Sequence, residues 1–358
     1  MRAAQIQVSP NWTTVRSELL AAAAVTLLLA VFFAPPRVVR ASLLTWGVAG
    51  LAGMAAIALA PSLDLVLLIV LVLAVLQARL ASHRDFATRV RGPVLAVALL
   101  AAGLAFERVE GRVILERFGA VGIVAGLVAA IGLFPYIHEF DPEESVVASP
   151  IPWIAFIGPL LAVTVMSWAK QTVAVDAGDA FGAMLIGLGL LNVVWGSLGS
   201  WRTESDAAAW RYSFMADWGL ALCGFGLAIA DGMAAALVLL LSIVLGRLPL
   251  YIWSRQALRE KRSADRPINL LVAALLAGSA PFAGFAARVL LLRGATQLYW
   301  PLAFVLAVTM LLWLPTSLRL GHSMGMPRGR QAVGVAIVLA LNVLLGLYPQ
   351  PLLRLAGL

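Results

Sequence analysis

The chain of 358 residues contains a single cysteine, Cys223, and three scattered histidines, His83, His138 and His322. One thiol in an apolar run excludes a disulfide framework and a cysteine cluster site, and histidines this far apart offer no pair for a metal or a haem. Charge is scarce as well. Only 12% of the residues are charged, and of 26 basic residues only Lys170 and Lys261 are lysine. Glycine-rich phosphate loops, nucleotide fingerprints and nucleophile–base pairs are missing, so a self-contained enzyme is not expected, nor a cofactor or a metal. No segment alternates as a soluble strand does, and no low-complexity linker divides the chain.

Hydrocarbon is abundant: 62% of the residues are hydrophobic and the mean hydropathy is +0.95, far outside the usage of a soluble domain. A bilayer core needs roughly 20 apolar residues per helix. Segments of that length occur near 17–34, 41–60, 62–80, 92–107, 117–135, 151–169, 180–200, 212–230, 232–253, 268–292, 298–317 and 331–348. Each is expected to be helical, because a lone strand in lipid leaves its backbone unpaired. The segment 268–292 carries Gly278-Ser279-Ala280-Pro281 at its middle, where proline removes a hydrogen bond and kinks the chain, so two half-helices are expected there. The fold class is therefore an all-α polytopic membrane protein of about 12–14 transmembrane helices in one domain, 1–358. The apolar run 19–34 lacks a small-residue cleavage site and reads as a retained first helix rather than a cleaved signal.

A net charge of +8 suggests nucleic acid in a soluble protein. Here the basic residues fall in short loops between spans, as positive-inside sorting places them, so the lipid bilayer is the partner and nucleic acid is not. The preference for arginine reads as a GC-rich bacterial genome, hence a multi-pass protein of the bacterial inner (cytoplasmic) membrane. Loops 79–91, 255–266 and 319–330 are strongly basic, whereas 138–144 is acidic with no Lys or Arg. On a 12-span count the basic loops are all odd-numbered and cytoplasmic, with both termini outside. The acidic loop shares that parity and fits it poorly.

Ionisable groups at membrane depth are expensive and line an ion path, a watery cavity or a subunit contact. Asp217 is either a titrating group in such a path or a hydrogen-bonding group at a helix interface. Arg247 and Arg288 are each either a cation held on the polar axis, against Asp217 or a partner's carboxylate, or an arginine snorkelling to the headgroups. His138 and Glu139, with Asp141, Glu143 and Glu144, form either a cation-gathering mouth or a solvated acidic loop. Arg293 and Lys170 read as interfacial residues and Asp231 as an N-cap. Trp46, Trp153, Trp168, Trp201, Trp253 and Trp300 fall near expected span ends, as an aromatic belt does.

Four strings place proline, aromatic and polar residues where a lipid-facing helix has no use for them: Leu133-Phe134-Pro135-Tyr136-Ile137-His138-Glu139-Phe140 with Asp141-Pro142-Glu143; Tyr212-Ser213-Phe214-Met215-Ala216-Asp217-Trp218-Gly219; Ala280-Pro281-Phe282-Ala283-Gly284-Phe285-Ala286-Ala287-Arg288; and Leu345-Gly346-Leu347-Tyr348-Pro349-Gln350-Pro351-Leu352. In this order they resemble the antiporter-like subunits of respiratory complex I, the family shared with Mrp-type cation/proton antiporters and membrane-bound hydrogenases. With Ile137 as one inserted residue, Pro135, Tyr136, His138, Phe140, Pro142 and Glu143 follow the family's Pro-Phe-His-x-Trp-x-Pro-Asp. Tyr212, Ser213 and Gly219 follow Tyr-Ser-Ser-Ile-Ser-His-x-Gly. Pro281, Gly284 and Phe285 follow Pro-Pro-x-x-Gly-Phe-x-x-Lys, with Arg288 in the lysine's place. The last string resembles the subunit N branch. The resemblance covers about residues 60 to 358, and nothing before residue 60 aligns.

The departures bear most on function. The resemblance implies proton movement along a mid-membrane chain of lysines and a glutamate, a task for which lysine suits because burial lowers its pKa. Aligned from Pro135, one lysine becomes Ala130, and counted on from Pro150 the next becomes Ala162. The glutamate of an earlier span has no counterpart in 65–76. In the second half the two lysines fall at Arg247 and Arg288, and a guanidinium does not release its proton in a protein. By resemblance, the fold is a pair of inverted five-helix repeats with broken helices at Pro135 and Pro281, a scheme found in many transporters. The divisions are 1–60, unaligned; 61–200, first repeat; 201–330, second repeat; and 331–358, a C-terminal helix.

The expected function is that of a membrane-arm, antiporter-like subunit of a multi-subunit redox complex, of the NADH-quinone oxidoreductase type, with a degenerate proton path and other membrane subunits as partners. Two further readings stay open. One is an active antiporter module moving protons or Na+, including an inorganic-carbon uptake partner subunit, and the other is a scaffold unrelated to quinone chemistry.

Overall fold

The computed structural model describes residues 10–33, 41–81, 86–109, 112–136, 146–173 and 178–355. His138, Glu139 and the rest of the acidic loop lie outside them. All twelve expected spans are helical: α1 (Trp12–Phe33), α2 (Ala41–Leu59), α3 (Leu63–Ala81), α4 (Phe86–Glu107), α5 (Val113–Ile131), α6 (Gly158–Thr172), α7 (Gly178–Arg202), α8 (Asp206–Gly226), α9 (Ala230–Ser242) continuing into α10 (Leu248–Arg259), the pair α11 (Pro267–Ala277) and α12 (Ala283–Leu298), the pair α13 (Trp300–Leu312) and α14 (Leu314–Ser323), and α15 (Arg330–Leu347). A short α16 (Gln350–Leu355) follows, and the described residues contain no strand. Nine helical stretches among them are long and apolar enough to cross a membrane. Of the other expected spans, α8 carries Arg211 and Asp217, and α11/α12 is broken.

Loops seven, nine and eleven meet at one end of the bundle. The Ala264 N–H donates to the His322 carbonyl at 3.1 Å, and His322 Nε2 lies 2.9 Å from Asp265 Oδ1. Arg319 pairs with Asp206 at 2.6 Å and donates to the Thr203 carbonyl at 2.7 Å, and Arg330 donates to the carbonyl of Phe32 at the end of α1. This places the end of α1 and loops seven, nine and eleven together, so α11 and α12 make one crossing between them. Pairs α4/α5 and α7/α8 pack backbone to backbone through small residues, as bilayer helices do in the absence of a hydrophobic drive. A Cβ on Gly126 would sit 2.7 Å from the Leu100 nitrogen, and one on Gly219 would sit 2.6 Å from the Val193 nitrogen.

The aromatic-belt expectation holds for Trp201 and Trp300, which are exposed, and fails for Trp46, Trp153 and Trp253, which are buried. Their flanking segments are covered by neighbouring helices: Trp46 packs on Trp153 with ring centroids 6.2 Å apart. A position near a helix end reaches the interface only when nothing else packs over it.

Two helices stop inside the bundle. α5 ends on Gly132 and α11 on Gly278, both left-handed (φ 79° and 62°), and each glycine opens the sequence Gly-x-x-Pro. Only glycine takes this conformation without a Cβ penalty. The Phe134–Pro135 and Ala280–Pro281 peptides are both cis. Two π-helical turns, Pro152–Ile157 before α6 and Ile243–Arg247 before α10, complete the irregular backbone. Each precedes a proline, Pro159 or Pro249, whose ring clashes with the carbonyl four residues back, and the wider turn relieves that clash. The displaced carbonyls are taken by side chains: the Trp218 indole N–H donates to Ile154 O and the Thr26 hydroxyl to Val244 O at 2.9 Å.

Candidate functional site

α8 brings the second string to the centre of the molecule, and almost every residue of it has a defined contact. Tyr212 packs on Gly199 of α7, Trp218 caps the first π turn, and Gly219 admits the backbone of α7. Ser213 and Asp217, four residues apart and therefore on one helix face, both point at Arg247.

Arg247 belongs to the π turn between α9 and α10 and is 2% exposed. Its Nε donates to Asp217 Oδ2 and its Nη1 to Ser213 Oγ. Its Nη2 donates to the Leu276 carbonyl at 2.8 Å, and the guanidinium carbon lies 5.8 Å from the centre of the Trp313 ring. The same Leu276 carbonyl accepts from the Trp313 indole at 2.9 Å. Arg288, on the first turns of α12, places Nη2 3.7 Å from Asp217 Oδ1. It also lies flat against Gly278, where a Cβ would come within 2.6 Å of its Cζ. One carboxylate thus holds two guanidiniums, one on each oxygen.

The break at Gly278 explains why cations are retained there. A helix C-terminus leaves carbonyls without intrahelical partners and carries the negative end of the macrodipole. α11 ends about 16 Å of helix rise from its start at the basic end, so these carbonyls face the low-dielectric interior. Arg247 and Trp313 supply the missing donors. α15 closes the assembly from the other side: Gly346, from the fourth string, touches the backbone of Pro281–Ala283, and Asn342 packs on Gly246.

The first break is built differently. Asn192 of α7, fully buried, receives a hydrogen bond from the Phe134 N–H at 2.9 Å and donates to the Phe134 carbonyl at 3.1 Å and to Leu188 O at 2.8 Å. Phe134 stacks on Trp195 with centroids 5.0 Å apart. Pro135 lies in the turn that follows, and no charged side chain bonds to that turn among the described residues. Ala130 and Ala162 are buried in the apolar core.

The structure therefore joins Asp217, Arg247 and Arg288 with Pro281 close by, and keeps Pro135 at a separate, neutral break. Snorkelling does not describe either arginine, since both are enclosed by helices. Asp231 follows the N-cap Ile229 rather than being it, and pairs with Arg293 at 2.5 Å. Lys170 sits at the end of α6 over the Trp12 ring, as an interfacial lysine does.

Sequence reasoning passed over Asn192 and Arg211. A lone amide within an apolar span was the available signal for Asn192. Arg211, 7% exposed on α8, has Nε and Nη2 without hydrogen-bond partners. On α10, buried Arg255 lies over Tyr251 and donates to its hydroxyl at 3.2 Å.

No family model and no curated protein matches the chain. Among solved structures it is similar to a chain of the Mrp complex from Dietzia sp. DQ12-45-1b, with a TM-score of 0.79 and 14% identity over 96% of this chain and 44% of that one. A chain of respiratory complex I from Thermus thermophilus with bound NADH aligns at TM-score 0.77 and 16% identity, covering 96% and 84%. A chain of the membrane-bound sulfane sulfur reductase, an archaeal respiratory membrane complex, aligns at 0.75 and 17%, covering 96% and 66%. This protein thus spans less than half the length of the Mrp chain. The likeness read from four short strings holds at the level of architecture: the chain has the all-α membrane fold that these chains share.

Proposed function

We propose that the chain is a membrane-arm subunit of a multi-subunit, ion-translocating redox complex of the bacterial inner membrane, and that its own proton path is degenerate. Its role is to seal the bilayer, hold fixed charge and contact membrane subunits that carry the redox centres or a working channel. The two Gly-x-x-Pro breaks support the division into a first repeat, 61–200, and a second, 201–330, flanked by 1–60 and the C-terminal helix 331–358.

The observation that carries this reading is the fixed, fully enclosed charge of Arg247. Each of its three nitrogens is committed to an acceptor, Asp217, Ser213 or Leu276 O, inside a buried site. A guanidinium keeps its proton, so Arg247 holds a fixed charge at this point and does not relay one. Methyl groups at Ala130 and Ala162 leave the other half without a titrating group at the corresponding places.

The test has two parts. Purified from its native membrane, the chain is expected to bring redox subunits with it, and their absence sinks the respiratory reading. In proteoliposomes the chain alone is expected to show no proton or Na+ flux. Flux abolished in both Arg288→Lys and Arg288→Ala would instead establish an active antiporter module.

A further inference from the structure

The second break lies halfway across the bilayer. α11 has 11 residues, a rise of about 16 Å from the basic end, roughly half the hydrocarbon thickness. The inner side of the break is closed by Arg247, Trp313 and Arg288 and by Gly346 of α15. Its outer side is bare. Ala280 and Pro281 are exposed and Ser279 is partly so. Among the described residues, Ala280 is bonded through neither its N–H nor its carbonyl, and the Ser279 hydroxyl has no partner.

Lipid chains offer no hydrogen bond, and irregular backbone at membrane depth is tolerated only where protein covers it or where it lines water. Water is disfavoured here, because the side chains exposed along the two half-helices are Leu270, Leu271, Phe285 and Val289, an apolar rim. Protein is the cover that is left. The unpaired groups are neutral, whereas Arg247 and Arg288 are buried and paired with Asp217, so the cover needs hydrogen-bonding capacity rather than charge. The first break shows the form this takes: an amide on a neighbouring helix, Asn192, meets both the N–H and the carbonyl of Phe134.

We propose that the outer side of the break at 279–281 is a docking surface for a transmembrane helix of another membrane subunit, which lays a neutral amide or hydroxyl side chain against Ala280. Ser279 and Ala280 are small, as residues are where bilayer helices approach closely and hydrogen-bond to one another. The inference rests on the reading of the chain as one subunit among several, and adds where and by what chemistry one neighbour is held.

The test uses the full chain in its native membrane. Photoreactive p-benzoylphenylalanine replaces Phe285, exposed beside the break, or Phe118, exposed on α5. Irradiation at Phe285 is expected to join the chain to a transmembrane segment of one other subunit, with Asn, Gln, Ser or Thr within a helical turn of the mapped cross-link. Ala280→Trp, which blocks the surface, lowers retention of that subunit by about tenfold or more at unchanged amount and Tm of the chain, whereas Phe118→Trp leaves it unchanged. Only lipid adducts at Phe285, a cross-link to a second copy of the chain, a mapped segment without such a residue, or retention indifferent to Ala280→Trp overturns the proposal. So does rapid labelling of Ala280→Cys by a membrane-impermeant maleimide, which would show a water-lined break; the native Cys223 is buried and silent. Redox subunits that co-purify while Phe285 captures only lipid leave the respiratory reading standing and remove this one, and a mapped partner helix without redox subunits does the reverse.

Discussion

The two helix breaks pose one physical problem and reach opposite solutions. In each, a helix stops on a left-handed glycine, leaving backbone polar groups in a medium that cannot hydrate them. At Gly132 the remedy is neutral: one amide, Asn192, satisfies both the N–H and the carbonyl of Phe134. At Gly278 the remedy is ionic, with Arg247 on a terminal carbonyl of α11 and Asp217 required to balance Arg247 and Arg288. An amide solves the hydrogen-bonding problem alone. A guanidinium solves it and imports a charge, so every neighbour must be arranged around that charge.

This contrast orders the perturbations by size. Asp217→Ala strands two buried guanidiniums and is expected to cost about 3–5 kcal/mol, read as a drop in the apparent Tm of the purified chain. The companion Asp217→Leu with Arg247→Met should recover part of that loss, because it removes one guanidinium along with the carboxylate and leaves only Arg288 without its partner. A double variant no more stable than Asp217→Ala would show that the ionic remedy is not what holds the second break.

At the neutral half, Ala162→Lys tests whether the apolar core tolerates a relay group. The expected cost is about 2.5–3.5 kcal/mol, that of a cation at bilayer depth, without a gain in proton flux. A stable variant that conducts would mean that the first half is only one residue from function. Asn192→Leu leaves the Phe134 N–H and carbonyl unpaired, at about 1–3 kcal/mol per group. Hydrogen exchange should then report opening near 132–136 and leave the second break unchanged.

The smallest effect expected is that of Gly278→Ala. A Cβ in the left-handed region costs about 1–2 kcal/mol, and here it also meets the Arg288 guanidinium. The substitution should therefore lower stability and weaken the Arg288–Asp217 contact together. Gly132→Ala, with the same backbone penalty and no guanidinium against it, is the matched control.

Much of the fold was legible because the bilayer leaves few choices. The twelve apolar segments are helical, the break at 278–281 fell where Pro281 placed it, and two of the three basic loops, 255–266 and 319–330, meet. Asp217, Arg247 and Arg288 stood out because charge is costly in such company. Asn192 did not, since an uncharged amide on a 25-residue apolar helix resembles any tolerated polar residue until the Phe134 backbone is seen against it. The π turns were equally hidden, because a proline inside a span, here Pro159 and Pro249, does not by itself say that the backbone before it widens.

The sequence by itself determined that this chain lives in a membrane as helices and where the helix of 268–292 must break. Those are consequences of hydropathy and of the N–H that proline lacks, both properties of single residues. Only the tertiary structure decided that Asp217 holds both arginines, that Leu276 offers its carbonyl to Arg247 and Trp313, and that an amide closes the first break. These depend on which helix ends face one another across the bundle, and apolar spans of similar length do not encode that in their composition.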